Sequence, residues 1–202
     1  MSAEITLAAL ILAGGHSTRM GRDKALIAID GVPMLRHMCQ VALACTQSVY
    51  VVTPWRDRYR SVVPLPCQFI QEVALPRADV IAHGPLVGFA QGLAQIECEW
   101  VLLLACDLPH LTAATLQGWM ASLAKVDQHT IARLPEGPKG WEPLCGFYRR
   151  RCLPNLQQFI DDGGRSFQRW LSSQTVQPLS CVDFKQLFNC NTPADLTTIQ
   201  PH

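Results

Sequence analysis

Short apolar runs alternate along the first half of the chain with segments whose apolar residues recur every three or four positions. The apolar runs predict strands at residues 7–12, 48–53 and 100–105, and a short third strand in chain order is predicted at 68–71. The periodic segments predict helices at residues 34–45, 84–97 and 112–125, the last with Thr112 as its N-cap. Strands that alternate with helices over short connections predict the α/β class, with a three-layer α/β/α arrangement around a mostly parallel, Rossmann-like sheet.

The second half of the chain is less regular. Its pattern predicts strands at 129–133 and 143–149, a loop at 135–141, helices that follow Leu153 and Ser166, two short strands around 176–182 and 188, and a last helix from Pro193. We find no repeat, low-complexity tract or clear linker in the 202 residues. The chain is therefore expected to form a single domain, residues 1–202.

The composition excludes several classes of function. Apolar residues make up 49% of the chain and charged residues 16%, which argues against long disordered stretches. The net charge of +1 gives no general attraction to nucleic acid or acidic membranes, and no apolar segment is long enough for a membrane span. The nine cysteines are odd in number and include no Cys-x-x-Cys pair, so reduced, buried thiols in a cytoplasmic protein are expected rather than disulfides or a zinc site.

A glycine-rich loop, residues 12–24, directly follows the first predicted strand and begins Leu12-Ala13-Gly14-Gly15. Its glycines let backbone N–H groups approach phosphate oxygens closely, and Arg19 and Lys24 supply positive charge. The spacing fits neither a Walker loop, which needs Lys directly after Gly, nor a dinucleotide fingerprint. A flexible surface turn is the alternative, but such a dense set of glycines and basic residues after a buried strand favours nucleoside triphosphate binding.

Two carboxylates lie at the ends of predicted strands. Asp107 follows the fully apolar strand at 100–105, where it could bind a phosphate-associated Mg²⁺; alternatively, it caps the next helix or forms an Asx turn. Glu72 follows the strand at 68–71 and could accept hydrogen bonds from a base or ribose, or be a solvated loop carboxylate. Because ligands of parallel sheets bind at the carboxyl ends of the strands, we expect Lys24 and Asp107 to share one site.

Candidates for a second substrate's pocket lie in the second half of the chain. Arg165 could hold an anionic group, although a surface arginine is the more usual case. Asn189 and Asn191 lie two residues apart, so in an extended segment their amides would point the same way, into a cleft or toward solvent. His16 and His129 have no carboxylate or serine partner discernible in the sequence, and we assign no catalytic triad.

Together these motifs resemble those of the MobA-type molybdenum cofactor guanylyltransferases, within the larger group of Rossmann-like nucleotidyltransferases. The matching motifs run in family order over nearly the whole chain: Leu12-Ala-Gly-Gly-x3-Arg-Met-Gly-x-Asp-Lys24, Gly84-Pro-Leu-x-Gly88, Cys106-Asp-x-Pro109, Glu142-Pro-Leu144 with Tyr148, and Asn189-x-Asn-Thr-Pro193. The resemblance implies the nucleotidyltransferase type of fold and a working set of Mg²⁺, GTP and molybdopterin.

The resemblance also implies roles for single residues. The loop backbone at Leu12, Ala13, Gly14 and Gly15 would contact the nucleotide, with its first three residues at the guanine and ribose end. Lys24 and Arg19 would hold the phosphates, and Asp107 would bind Mg²⁺. Glu72 stands where the family usually has an Asp that helps to bind GTP. Residues up to about 110 would form the nucleotide side of the domain, and residues from about 111 to 202 the acceptor side.

The implied reaction is the transfer of GMP from GTP to molybdopterin with release of pyrophosphate. Related cytidylyltransferases tend to have Leu-Ala-Ala-Gly in the first loop, so the Leu-Ala-Gly-Gly of this chain favours guanine by resemblance. Three alternatives stay open: a cytidylyltransferase for the same pterin, a sugar-phosphate nucleotidyltransferase, and a non-catalytic nucleotide-binding partner of molybdoenzymes. Transient contact with molybdoenzymes or their chaperones is a further partner class; nucleic acid and membranes are not expected partners.

Overall fold

The computed structural model describes residues 5–15, 21–75, 84–180 and 182–199. Its centre is a seven-stranded sheet of β1 (Leu7–Leu12), β2 (Val49–Thr53), β3 (Gln68–Gln71), β4 (Trp100–Ala105), β5 (Ala132–Leu134), β6 (Cys145–Arg149) and β7 (Val176–Pro178). In space the strands follow the order β7-β5-β6-β4-β1-β2-β3. Neighbouring strands are parallel except where β6 pairs with β4 and β5, so the sheet is mostly parallel, as predicted.

Helices cover both faces of this sheet. They are α1 (Met34–Leu43), α2 (Arg56–Tyr59), α3 (Pro85–Leu93), α4 (Ala113–Met120), α5 (Leu153–Asp161) and α6 (Phe167–Leu171). A further helix, α7 (Pro193–Ile199), packs on a separate small core. Buried residues of α1, α2 and α4 pack with one face of the sheet, and those of α3, α5 and α6 pack with the other. The chain therefore has the three layers that the pattern of strands and helices predicts.

Smaller elements connect these layers. Short 3₁₀ helices lie at Lys24–Leu26, Leu123–Lys125, Arg150–Cys152 and Phe184–Leu187. Two-residue strands pair at Ala28–Ile29 with Val32–Pro33, and at Glu136–Gly137 with Gly140–Trp141.

The central strand β4 is buried along its whole length because both of its faces are covered. Leu102 and Leu104 belong to the hydrophobic core on one face of the sheet, and Val101 and Leu103 belong to the core on the other face. This alternation is the two-residue period of a strand, and it explains why the sequence of β4 is an uninterrupted apolar run.

The bounds of some predicted elements are wrong. The helix predicted to reach residue 97 ends at Leu93. The chain has to turn after this helix in order to enter β4, where Trp100 N donates a hydrogen bond to Thr6 O. The helix predicted at 112–125 ends at Met120 and is followed by a separate 3₁₀ turn, although Thr112 is its N-cap as predicted. No strand forms around residue 188 in the described chain; Asp183 caps a 3₁₀ helix at Phe184–Leu187 instead.

Two further observations concern the cysteines and the helices of the described residues. The eight cysteines in the described residues are all free thiols, and five of them are buried. Within the described ranges, no helix has both the length and the apolar composition that crossing a bilayer requires.

Helix α3 lies unusually close to the sheet at Gly92. A Cβ atom at this position would lie 2.8 Å from Leu10 Cδ1 and 3.0 Å from Val52 Cγ2, and both side chains are fully buried. Gly118 provides a contrast, because it also lies near the end of a helix, but a Cβ atom there meets no described atom within 4 Å. Close packing therefore requires glycine at position 92 and not at position 118.

We predict that Gly92→Ala is less stable than Gly118→Ala by about 1–3 kcal/mol in the free energy of unfolding. Both substitutions gain the helix propensity of alanine, so the difference isolates the overpacking of Leu10 and Val52. Urea unfolding followed by circular dichroism measures both variants against the wild type. Equal stability of the two variants would show that the core of α3 and β1 accommodates a methyl group freely.

Candidate active site

The first loop is tied to β2 where it leaves the sheet. Ala13 N donates to Val52 O at 3.0 Å, and the buried Thr53 hydroxyl donates to Ala13 O at 2.8 Å. These bonds satisfy both backbone groups of Ala13 and hold the loop at the carboxyl edge of the sheet. The predicted phosphate contact of Arg19 lies outside the described residues, because residues 16–20 are not among them.

Asp23 anchors the far end of this loop. Its carboxylate accepts hydrogen bonds from Ala25 N at 3.1 Å and from the Tyr59 hydroxyl at 2.8 Å, and it pairs with Arg58 at 3.0 Å. Burial and the neighbouring Asp23 carboxylate raise the pKa of Tyr59, so this phenol stays protonated and remains a donor. The 3₁₀ turn that begins with Lys24 is therefore fixed from α2.

Sequence reasoning did not single out Asp23 and Tyr59 as functional residues. The position of Asp23 directly before Lys24 was a signal that could have drawn attention to it. Tyr59 lies 36 positions away from Asp23, and no local pattern connects the two.

Lys24 and Asp107 meet as expected. The Lys24 ammonium lies 2.7 Å from Asp107 Oδ2 and also donates to Asn191 Oδ1 at 2.8 Å. The side chains of Lys24 and Asp107 are 18% and 11% exposed, so the pair is largely shielded from solvent. The loops after β1 and β4 and the segment before α7 therefore converge on one group.

A cleft of about 400 Å³ opens over this ion pair. Its size lies within the range of small-molecule sites in proteins. Glycines, apolar side chains and a few charged side chains line it. They come from the carboxyl ends of β1, β2, β3 and β4, the turn at residues 23–25, α2, the start of α3 and the residue before β6: Leu12, Ala13, Gly14, Gly15, Asp23, Lys24, Ala25, Pro54, Trp55, Tyr59, Glu72, Val73, Ala74, Gly84, Pro85, Gly88, Ala105, Cys106, Asp107 and Leu144. Seven predicted nucleotide-binding residues lie in one cleft: Leu12, Ala13, Gly14, Gly15, Lys24, Glu72 and Asp107.

Glu72 forms part of the cleft wall against two glycines. A Cβ atom at Gly88 would lie 3.3 Å from Glu72 Cδ, and one at Gly14 would collide with the Glu72 carboxylate. The two glycines thus make room for the Glu72 side chain. Burial raises the pKa of Glu72, and within the described residues its carboxylate has no cation close enough to offset that effect.

The residues predicted for the acceptor side do not lie together. The Arg165 guanidinium donates to the carbonyl oxygens of Ile160 at 2.7 Å and Gly164 at 2.6 Å, so it caps the end of α5 and does not line the cleft. Asn191 contacts Lys24, and Asn189 is half-buried in the same segment. Binding of an acceptor by these three residues stays a prediction.

The donor set around Asp107 fits one kind of metal ion. No group of three or more His, Cys, Asp or Glu side chains in the described part of the chain could hold a metal by itself. Mg²⁺ commonly needs no such cage, because one or two carboxylates together with substrate phosphates and water complete its oxygen shell. The single carboxylate of Asp107 in a cleft with free room beside it matches that arrangement.

Comparisons with known proteins agree with this geometry. The model of the MobA-like NTP transferase domain matches residues 9–177. A probable molybdenum cofactor guanylyltransferase from Nostoc is 56% identical, over 96% of this chain and 90% of that protein. A probable molybdenum cofactor guanylyltransferase from Synechococcus elongatus is 42% identical, over 97% of this chain and 99% of its own length.

A solved structure shares the fold. Molybdopterin-guanine dinucleotide biosynthesis protein A from Archaeoglobus fulgidus superposes with a TM-score of 0.73 at 19% identity, covering 96% of this chain and 97% of that one. The family model spans most of the chain, and the relatives match it over nearly their full lengths. The chain belongs to the MobA-like NTP transferase family, together with the molybdenum cofactor guanylyltransferases.

Proposed function

We propose that this chain transfers GMP from GTP to the terminal phosphate of molybdopterin and releases pyrophosphate, as a Mg²⁺-dependent guanylyltransferase. The observation that carries the proposal is the contact of 2.7 Å between Lys24 and Asp107 inside the cleft. It brings one ammonium group and one carboxylate from two different loops within reach of a single triphosphate.

The proposed reaction requires little acid–base catalysis from the protein. The attacking phosphate oxygen of the acceptor is already ionised at neutral pH, so the chain needs no strong general base. Catalysis then depends on positioning the two substrates in line and on neutralising charge at the α-phosphate and the departing pyrophosphate. Lys24 provides a fixed positive charge for this purpose, and Arg19 is proposed to provide another.

Asp107 is the residue that would hold Mg²⁺. When bound, the ion would supply additional positive charge at the phosphates.

The second task of the protein is to hold the guanosine end of GTP. For this we propose the backbone of Leu12, Ala13 and Gly14, with Gly15 continuing the same loop.

Glu72 is proposed to bind the base or the ribose. A carboxylate accepts hydrogen bonds only, and both classes of donor are available on GTP: the N–H groups of guanine and the hydroxyls of ribose. Burial makes its charged form less favourable in the folded protein, and no cation among the described residues offsets this effect. Hydrogen bonds from a bound nucleotide would offset that cost.

The remaining parts of the proposal concern the rest of the chain. We infer that residues up to about 110 form the nucleotide side of the single domain and that residues 111–202 form the acceptor side. Transient contact with molybdoenzymes or their chaperones would pass on the product, and we place the protein in the cytoplasm, in keeping with its reduced thiols.

Removing either partner of the central ion pair should abolish most activity. We predict that Lys24→Ala and Asp107→Ala each lower turnover by about two orders of magnitude or more, because each removes a major electrostatic contribution. Pyrophosphate release with GTP, Mg²⁺ and molybdopterin is the measurement. Matched controls are Lys125→Ala and Asp161→Ala, two exposed positions outside the cleft, which should keep wild-type turnover. Near wild-type activity in a cleft variant would remove that residue from the mechanism.

The choice of nucleotide tests the function directly. We expect pyrophosphate release with GTP and molybdopterin together, and much less with ATP, CTP or UTP or without the pterin. Preference for CTP would identify a cytidylyltransferase, and turnover with a sugar phosphate in place of the pterin would identify a different acceptor class. Nucleotide binding without turnover under any of these conditions would contradict an enzymatic role.

Glu72→Gln should make the protein more stable and its binding of GTP weaker. Because burial raises the pKa of Glu72 in the folded state, its contribution to stability is greatest below its unfolded pKa of about 4.5 and is lost as the pH rises through the folded pKa. The variant should therefore exceed the wild type in unfolding free energy at pH 7 to 8, with the gap closing toward pH 4.

Urea unfolding across this pH range and calorimetry with GTP measure the two effects of Glu72→Gln. Glu97→Gln is the control, because that side chain is 86% exposed; its stability should stay within about 0.5 kcal/mol of wild type. Unchanged GTP affinity in Glu72→Gln would show that the carboxylate does not contact the nucleotide.

A further inference from the structure

The segment before α7 holds both members of the central ion pair. Asn191 Oδ1 accepts a hydrogen bond from the Lys24 ammonium at 2.8 Å. One residue earlier, Cys190 N donates to the backbone oxygen of Asp107 at 3.1 Å. The side chain of one residue and the backbone of its neighbour thus fix the segment relative to Lys24 and Asp107. The position of the Asn191 backbone then determines where its amide oxygen can accept the hydrogen bond from the Lys24 ammonium.

Asp195 determines the backbone conformation at Asn191. Its Oδ2 accepts hydrogen bonds from Asn191 N at 2.8 Å and from Thr192 N at 2.7 Å. Asp195 N in turn donates to Thr192 Oγ1 at 3.3 Å, which completes a reciprocal capping box at the start of α7. These backbone hydrogen bonds lower the pKa of Asp195, so it is ionised at neutral pH. Asp195 itself does not line the cleft.

The packing of α7 also fixes the segment that precedes this helix. Leu196 and Ile199 pack against a small core of Ile27, Met34 and Cys190. Ile27 directly follows the 3₁₀ turn that begins with Lys24. The helix that carries Asp195 is therefore packed against the residue that follows the Lys24 turn.

We propose that Asp195 is a positioning residue for guanylyl transfer, which fixes Asn191 so that its amide oxygen holds the Lys24 ammonium beside Asp107. The proposal rests on the proposed function, because it gives Lys24 the task of neutralising the phosphates. Asp195 acts through two hydrogen-bonded steps and touches neither nucleotide nor acceptor. Its loss should therefore resemble a partial loss of Lys24.

Asp195→Ala should lower turnover by about tenfold to a hundredfold, since displacement of a catalytic group by about 1 Å has effects of this size. It should also weaken GTP binding measured by calorimetry. Asp195→Glu should restore both, because Glu is the usual residue at this position of a capping box. Thr112→Ala removes the N-cap of α4 without contacting Lys24, so it should lower the urea midpoint comparably and leave turnover unchanged.

A second substitution separates positioning from a general structural role. In the Lys24→Ala background, Asp195→Ala should cause no further loss of turnover or of GTP affinity, since its target is already absent. A further tenfold loss in that background would overturn the proposal, as would wild-type turnover in Asp195→Ala or failure of Asp195→Glu to restore activity.

The two readouts also distinguish this inference from the proposed function. GTP binding needs no acceptor, so a wild-type protein that binds GTP but transfers no GMP would refute the proposed function alone. The affinities of the single and double variants would then still decide whether Asp195 acts through Lys24.

Discussion

The contact between Lys24 and Asp107 depends on the register of two strands. β1 and β4 are parallel neighbours, and Leu12 pairs directly with Ala105, so both strands end at the same level. The loops that follow them consequently start side by side at one edge of the sheet. An ammonium and a carboxylate carried by these loops can then approach to 2.7 Å although 83 residues separate them in sequence. A shift of this register would move the two groups apart and leave a charge shielded from water without its partner, which is strongly unfavourable.

Support for this contact comes from three directions. Asp23 holds the turn before Lys24 through α2, the backbone oxygen of Asp107 accepts a hydrogen bond from Cys190, and Asn191 shares the ammonium group. The bond from Tyr59 to Asp23 is partly buried, where competition from water is weak, whereas the bond from Lys24 to Asn191 is exposed. A site held in this way needs little rearrangement to present charge to a substrate, which is the condition for electrostatic catalysis.

Sequence patterns predicted the parts of the fold that depend on burial. The strands at 7–12, 68–71 and 100–105 are confirmed residue by residue. For the first and the last, the reason is that an apolar run of six residues between two helical layers has few other solutions. The convergence of Lys24 and Asp107 followed from the rule for parallel sheets. The ends of helices were less predictable. The pattern of apolar residues typical of a helix continues beyond Leu93, but α3 ends there because the chain must turn to enter β4.

The antiparallel strand β6 and the network around Asp23 were beyond the reach of sequence patterns. The first four residues of β6 are buried like those of a central parallel strand, and nothing local in them encodes the direction of pairing. The bond from Tyr59 to Asp23 joins residues 36 positions apart, so it depends on how distant segments pack together. Such contacts become visible only in three dimensions.

The Glu72 carboxylate shows how the site differs from the core around it. Lys24, Asp107 and Asp23 have their charges paired, whereas Glu72 lies half-buried against Gly14 and Gly88 with a raised pKa. Two glycines leave room for it where side chains would have filled the space with apolar contacts. Replacing this carboxylate should stabilise the fold, so its place in the wall of the cleft fits the proposed hydrogen bonds from GTP.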